Sequence, residues 1–145
     1  MEAKEQRDFL RGNVLADFMP FYNYRRHFPK QGMEYVLDMH NSVDNFFELG
    51  ILTHFVADFV CTPHFKNWRF YSANVVKHVK FEKTLEKVAA GFNFSAVDVQ
   101  GIQAGRPGCI NDKVLALYAN AGEAYDDNLK SAYLSVFSML DNFLK

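Results

Sequence analysis

Between Phe46 and Val60 the chain is apolar on almost every side of a helical projection, with Phe46, Phe47, Ile51, Leu52, Phe55, Val56, Phe59 and Val60 spread around it. A helix of that kind is stable only when neighbours enclose it, so the rest of the chain must be arranged around it. Within this stretch stand His54 and Asp58, four residues apart and so on one side of the helix, one turn above the other. A buried, unpaired carboxylate is costly. The fold therefore has to supply a compensating charge on that side, and a metal cation is the obvious candidate.

The pattern continues downstream. His64 follows Asp58 past Cys61, Thr62 and Pro63, where the helix should end. His78 and Glu82 then repeat the four-residue spacing on what reads as a second helix. Two helices facing each other across that turn would gather His54, Asp58, His64, His78 and Glu82 in one pocket. A buried polar network without metal is the rival reading, but two such pairs plus an intervening histidine are more than a core network needs. Imidazoles with carboxylates and no thiolate quartet suit zinc best, with iron or manganese as alternatives. Five ligands are too many for one tetrahedral zinc; with Asp17 and His27 added, the set divides into two groups of three or four. Asp17 could instead face solvent at a helix end, and His27 could lie on an exposed loop beside Arg25 and Arg26. A multinuclear centre polarises a phosphoryl group and activates water, which suits phosphoester hydrolysis.

The remaining pattern is helical. Lys4 to about Phe18 carries an apolar stripe of Phe9, Leu10, Val14, Leu15 and Phe18 at helical spacing, and Pro20 stops it. Phe21 to Gly32 reads as a loop, Met33 to His40 as a short helix, and Ser42 as the N-cap of the central helix, which should reach about Cys61. Ser72 would cap a helix over Ala73 to Ala90, with Val75, Val79, Leu85 and Val88 inward and Lys77, Lys80, Lys83 and Lys87 solvated. A long connection from Gly91 to Cys109 precedes a helix from Asn111 to about Ala121, and a last helix spans Tyr125 to Phe143. The expectation is an all-α, single-domain bundle over residues 1–145, about five helices with a metal site between the central ones.

A net charge of −1 argues against a stable nucleic-acid partner held by a basic face. No apolar run is long enough to span a membrane, and Met1 to Gln6 shows no signal region. As written the expectation is a cytoplasmic protein, or a secreted one only if an N-terminal segment is missing. Cys61 and Cys109 form no disulfide framework; Cys61 reads as a free, buried thiol, with a soft-ligand role as the alternative. Phe65, Trp68, Phe70 and Tyr71 suit either core packing or a lipid-facing rim, and Arg25, Arg26, Lys66 and Arg69 either solvent or phosphate.

The segment Leu49-Gly50-Ile51-Leu52-Thr53-His54-Phe55-Val56-Ala57-Asp58, followed by Cys61-Thr62-Pro63-His64, resembles the metal-binding core of the bacterial zinc-dependent phospholipases C. The spacing onward to His78 and Glu82 is similar too. Arg11-Gly12-Asn13-Val14-Leu15-Ala16-Asp17 resembles the stretch that supplies an early metal-binding aspartate, and His27 resembles the histidine after it, across a shorter gap than in the well-known secreted enzymes. The resemblance implies one zinc on Asp17, His27, His54 and Asp58 and another on His64, His78 and Glu82. It also implies that the aspartate at Asp58's place reaches a third zinc, and that Asp17 is the catalytic base for the attacking water. That third zinc is completed in the family by an N-terminal tryptophan and a histidine. The first 20 residues here hold neither, and the single Trp is Trp68, so two zinc ions are expected. His40 could replace a lost ligand; a surface histidine is the plainer reading. The implied activity is hydrolysis of phospholipid head-group phosphodiesters, with transient membrane-surface contact. Fungal zinc nucleases are similar in the same core, so a nuclease is the enzymatic alternative, and a non-catalytic zinc-binding structural or interaction domain is the third reading.

Overall fold

The computed structural model describes residues 1–18, 27–66, 74–97 and 124–143. These form α1 (Ala3–Phe18), α2 (Pro29–Ser42), α3 (Phe46–Val60), α4 (Thr62–Phe65), α5 (Val75–Ala89) and α6 (Tyr125–Phe143), with a 3-10 turn at Phe94–Ala96 and no strand among the described residues. The molecule is all-α. The expected helix over 111–121, the connection over 98–109, the Pro20 stop and the Ser72 cap lie outside the described residues.

α3 is the hub, packing against α1, α2, α4 and α6. Leu49, Ile51, Leu52, Phe55, Val56, Phe59 and Val60 are sealed from solvent, as a helix without a polar face requires. The helix starts later than expected. Asn45 is its N-cap, the side-chain Oδ1 accepting the Glu48 N–H at 2.9 Å, and Glu48 sets a carboxylate in the first turn. Ser42 instead closes α2, its hydroxyl donating to the carbonyls of Asp38 at 3.1 Å and Met39 at 3.3 Å. α2 in turn begins at Pro29 rather than near Met33. Proline at the first helical position gives up an N–H that would have no partner there, so 29–32 is helix and not loop.

α1 spans nearly the residues expected, but its apolar stripe is not its buried side. The stripe of Leu10, Val14 and Phe18 faces outward, 55%, 57% and 75% exposed, while Gly12 and Ala16 are buried. The cause is a seam in which the backbones of α1 and α3 touch. A Cβ on Gly12 would fall on the Phe47 carbonyl oxygen, and one on Gly50 would fall on the Phe9 carbonyl oxygen. Asn13 stitches the seam, its Nδ2 donating to the Gly50 carbonyl at 3.3 Å and to Thr53 Oγ1 at 3.4 Å. Large side chains have no room on that side, so the helix turns its small residues inward.

α5 buries His78 and Phe81 and exposes Lys77, Lys80, Lys83 and Lys87, as expected; Val79, expected inside, lies on the exposed side instead because His78 and Phe81 occupy the inner face. α6 packs on α3 and α5 with Leu129 and Leu134, together with three buried polar residues, Asn128, Ser131 and Ser135.

Candidate metal centre

The seven candidate donors, five singled out by spacing and Asp17 and His27 added to them, come from five different parts of the chain. Asp17 stands in the last turn of α1, and His27 in the single turn before α2. His54 and Asp58 are on α3, His64 on α4, and His78 and Glu82 on α5. The proline at the start of α4 stops α3 from running on, and the chain turns so that His64 faces back toward Asp58.

Two groups of donor atoms result, Asp17–His27–His54 and His64–His78–Glu82, each with its three atoms within 4.8 Å of one another. In the first, His54 Nε2 lies 3.3 Å from His27 Nδ1 and 3.4 Å from Asp17 Oδ1. In the second, His78 Nε2 is 2.7 Å from Glu82 Oε1, and His64 Nε2 is 3.6 Å from the same oxygen. Asp58 stands between them. Its Oδ2 is 2.6 Å from His27 Nδ1 and 3.3 Å from His54 Nε2, while its Oδ1 is 3.6 Å from His64 Nε2. All seven residues are thus brought together, including His27, which is buried against Phe55 rather than lying on an exposed loop.

Around His54 the spacing of the donors fits zinc, while the shorter His27–Asp58 and His78–Glu82 separations of 2.6 and 2.7 Å are those of hydrogen bonds. Ligand bonds of about 2.0–2.1 Å at tetrahedral angles place neighbouring donor atoms about 3.3 Å apart. The three separations from His54 Nε2, to His27, Asp17 and Asp58, are 3.3, 3.4 and 3.3 Å. Each group includes a partly exposed carboxylate, the Asp17 side chain being 59% exposed and that of Glu82 48%. His64 Nδ1 is buried with no hydrogen-bond partner among the described residues, so the ring's polar contacts there are all on its Nε2 side, toward Asp58 and Glu82.

Electrostatics support the same conclusion. Burial opposes charge on His54, but hydrogen bonds to Asp17 and Asp58 and their negative fields outweigh it and raise the imidazole from 6.5 to about 10. Burial likewise works against the carboxylates, yet His64, His27 and His54 hold Asp58 far below the usual range. His64 and His78 hold Glu82 at about 2. The same negative field of Asp17 and Asp58 would favour a metal cation in place of that proton. Cys61 goes the other way: burial, then the carboxylates of Asp58 and Glu82, push its thiol up, so it stays neutral and outside both groups. His40 sits partly buried near the end of α2, also outside both, its imidazole pulled down by burial.

One residue of the site had no signal in the motif. Asn128 on α6 is fully buried, and its Oδ1 accepts the Thr62 N–H at the start of α4 at 2.6 Å while its Nδ2 donates to the Ala124 carbonyl at 2.8 Å. It fixes the short helix that carries His64. Its only trace in the sequence is a polar stripe, 128, 131 and 135, on a helix otherwise read by its apolar residues. Cys109, Arg25, Arg26, Trp68, Arg69, Phe70 and Tyr71, and the side chain of Phe65, lie outside what the structure describes.

A comparison with curated proteins and with solved structures found no match to this chain. The family model described as zinc dependent phospholipase C matches residues 3–138, a span that includes all seven donor residues and Asn128. The chain belongs to the zinc-dependent phospholipase C family.

Proposed function

We propose that residues 1–145 form one phospholipase C-like domain that hydrolyses the phosphodiester between diacylglycerol and the head group of a phospholipid. The observation that carries this reading is the pair of three-residue donor groups with Asp58 between them. Asp17, His27, His54 and Asp58 would hold one zinc ion, and His64, His78 and Glu82 a second. Bound there, zinc supplies Lewis acidity toward a phosphoryl oxygen and lowers the pKa of coordinated water toward neutrality.

The chain's own groups divide the remaining work. Asp17 Oδ1 faces His54 while most of the side chain is open to solvent, so we assign it to receive the proton of the attacking water. Attack at phosphorus breaks the bond to the diacylglycerol oxygen, which leaves with the electron pair and is protonated from solvent. His27, His54 and His64, packed edge to face or tilted against one another and against Phe28 and Phe55, are held in fixed orientations before substrate arrives. The second group, with only three protein donors, supports a catalytic centre over a structural one, because a structural zinc is closed by four protein ligands.

The test combines metal analysis with turnover. Purified protein should carry two zinc ions per chain, and His54→Ala and His78→Ala should each lose one. Diacylglycerol should be released from phosphatidylcholine, with no cleavage of single-stranded nucleic acid. Cleavage of nucleic acid alone would favour the nuclease; turnover of neither with metal retained would favour a non-catalytic zinc domain.

A further inference from the structure

We infer that the outer face of α1 is the surface by which this protein seats on a phospholipid bilayer containing anionic lipid. Leu10, Val14 and Phe18 are four residues apart and form one apolar line along the helix, each more than half exposed. The line ends beside Asp17, whose carboxylate belongs to the first donor group. Along its other edge run Lys4, Arg7 and Arg11, three to four residues apart and exposed; the Arg11 guanidinium also lies 6.0 Å from the centre of the Phe47 ring. Glu5 and Asp8 fall farther round the helix, away from the apolar line.

This arrangement suits a lipid surface. Apolar side chains enter the acyl boundary while the neighbouring cations meet phosphate, and attraction to anionic lipid strengthens the contact. Three side chains along two helical turns fall well short of the roughly 800 Å² per partner that a stable protein interface buries, which argues against a second copy as the occupant. The seam with α3 explains why the face is available: Gly12 and Ala16 already fill the buried side. Seated this way, the molecule presents the Asp17 edge of the metal centre to the head groups. The inference rests on the phospholipid substrate proposed above.

The experiment is co-sedimentation of the zinc-loaded full chain with vesicles of phosphatidylcholine and phosphatidylserine in roughly equal parts. Leu10→Ser/Val14→Ser should weaken binding about tenfold or more, and Arg7→Glu/Arg11→Glu should do the same and remove most of the salt dependence. Both variants should keep their zinc content and their turnover of a water-soluble phosphodiester. An environment-sensitive dye on Val14→Cys should shift to the blue when vesicles are added. Sedimentation of the serine variant equal to the parent's, a dye that stays in a water-like environment, or a solution dimer abolished by the same variant would each overturn the inference. The two proposals fail separately. Vesicle binding through α1 without diacylglycerol release defeats the phospholipase reading alone, whereas hydrolysis of dispersed short-chain phosphatidylcholine with unaltered vesicle binding by the variants defeats the surface alone.

Discussion

Asn128 has no exposed surface, yet its amide decides where His64 stands. The Thr62 N–H it accepts has no partner within α4, because the first N–H groups of any helix lack one. Asn128→Ala would strand that donor in the interior at a cost of about 1–3 kcal/mol. It should also lower the zinc content by about one ion per chain, from the His64 group. Chemical denaturation and elemental analysis read the two effects. Asn128→Asp keeps the acceptor oxygen and should retain more of the metal than the alanine variant. The contrast with His54 shows what a sequence reveals at this scale. His54 and Asp58 were legible because ionisable groups inside an apolar helix demand an explanation. A neutral amide in an amphipathic helix demands none, and Asn128 passed unnoticed although it is the more completely buried.

At the scale of elements, the contact between α1 and α3 determines how close Asp17 comes to His54. Gly50→Ala would set a methyl group on the Phe9 carbonyl, a backbone atom that moves only with its helix. The expected loss is about 1–3 kcal/mol, seen as a lower unfolding midpoint. Displacement of α1 should weaken metal at the Asp17 group before the other. The seam also explains why the apolar stripe of α1 does not mark its buried side. Leu10, Val14 and Phe18 have the period of a helix, yet close helix approach is made by residues with little or no side chain, which carry almost no hydropathy signal. The Ser42 and Asn45 positions were a similar ambiguity, since both residue types cap helices and only the hydrogen bond at 2.9 Å from Glu48 identifies the one that does. The body of the central helix and its C-terminal end were readable, because enclosure leaves no freedom over which side is apolar.

For the molecule as a whole, the charged centre makes stability depend on pH, with a direction that zinc reverses. Glu82, held at about 2 against an ordinary 4.5, and Asp58, depressed in the same sense, stabilise the zinc-free fold above pH 4.5 and lose that contribution as pH falls through their folded values. His54, raised from 6.5 to about 10, contributes fully below pH 6.5 and loses its contribution as pH climbs toward 10. The chelator-treated protein should therefore melt highest between about pH 4.5 and 6.5. Zinc bound at His54 as proposed would displace its proton, so its stabilising effect should grow with pH and the melting maximum of the loaded protein should move to the alkaline side. Thermal melts with and without chelator across that range check both statements; coincident maxima would contradict them. No helix among the described residues is long and apolar enough to cross a membrane.

A carboxylate with one oxygen toward each donor group, as Asp58 has, ties the two occupancies together. In the two-ion centre proposed above, the first ion to arrive would withdraw charge that the second would also use, so the second would be held more loosely and leave first. Titration with a chelator of intermediate strength should pause at one ion per chain, giving a half-loaded species whose catalytic rate can be measured by itself.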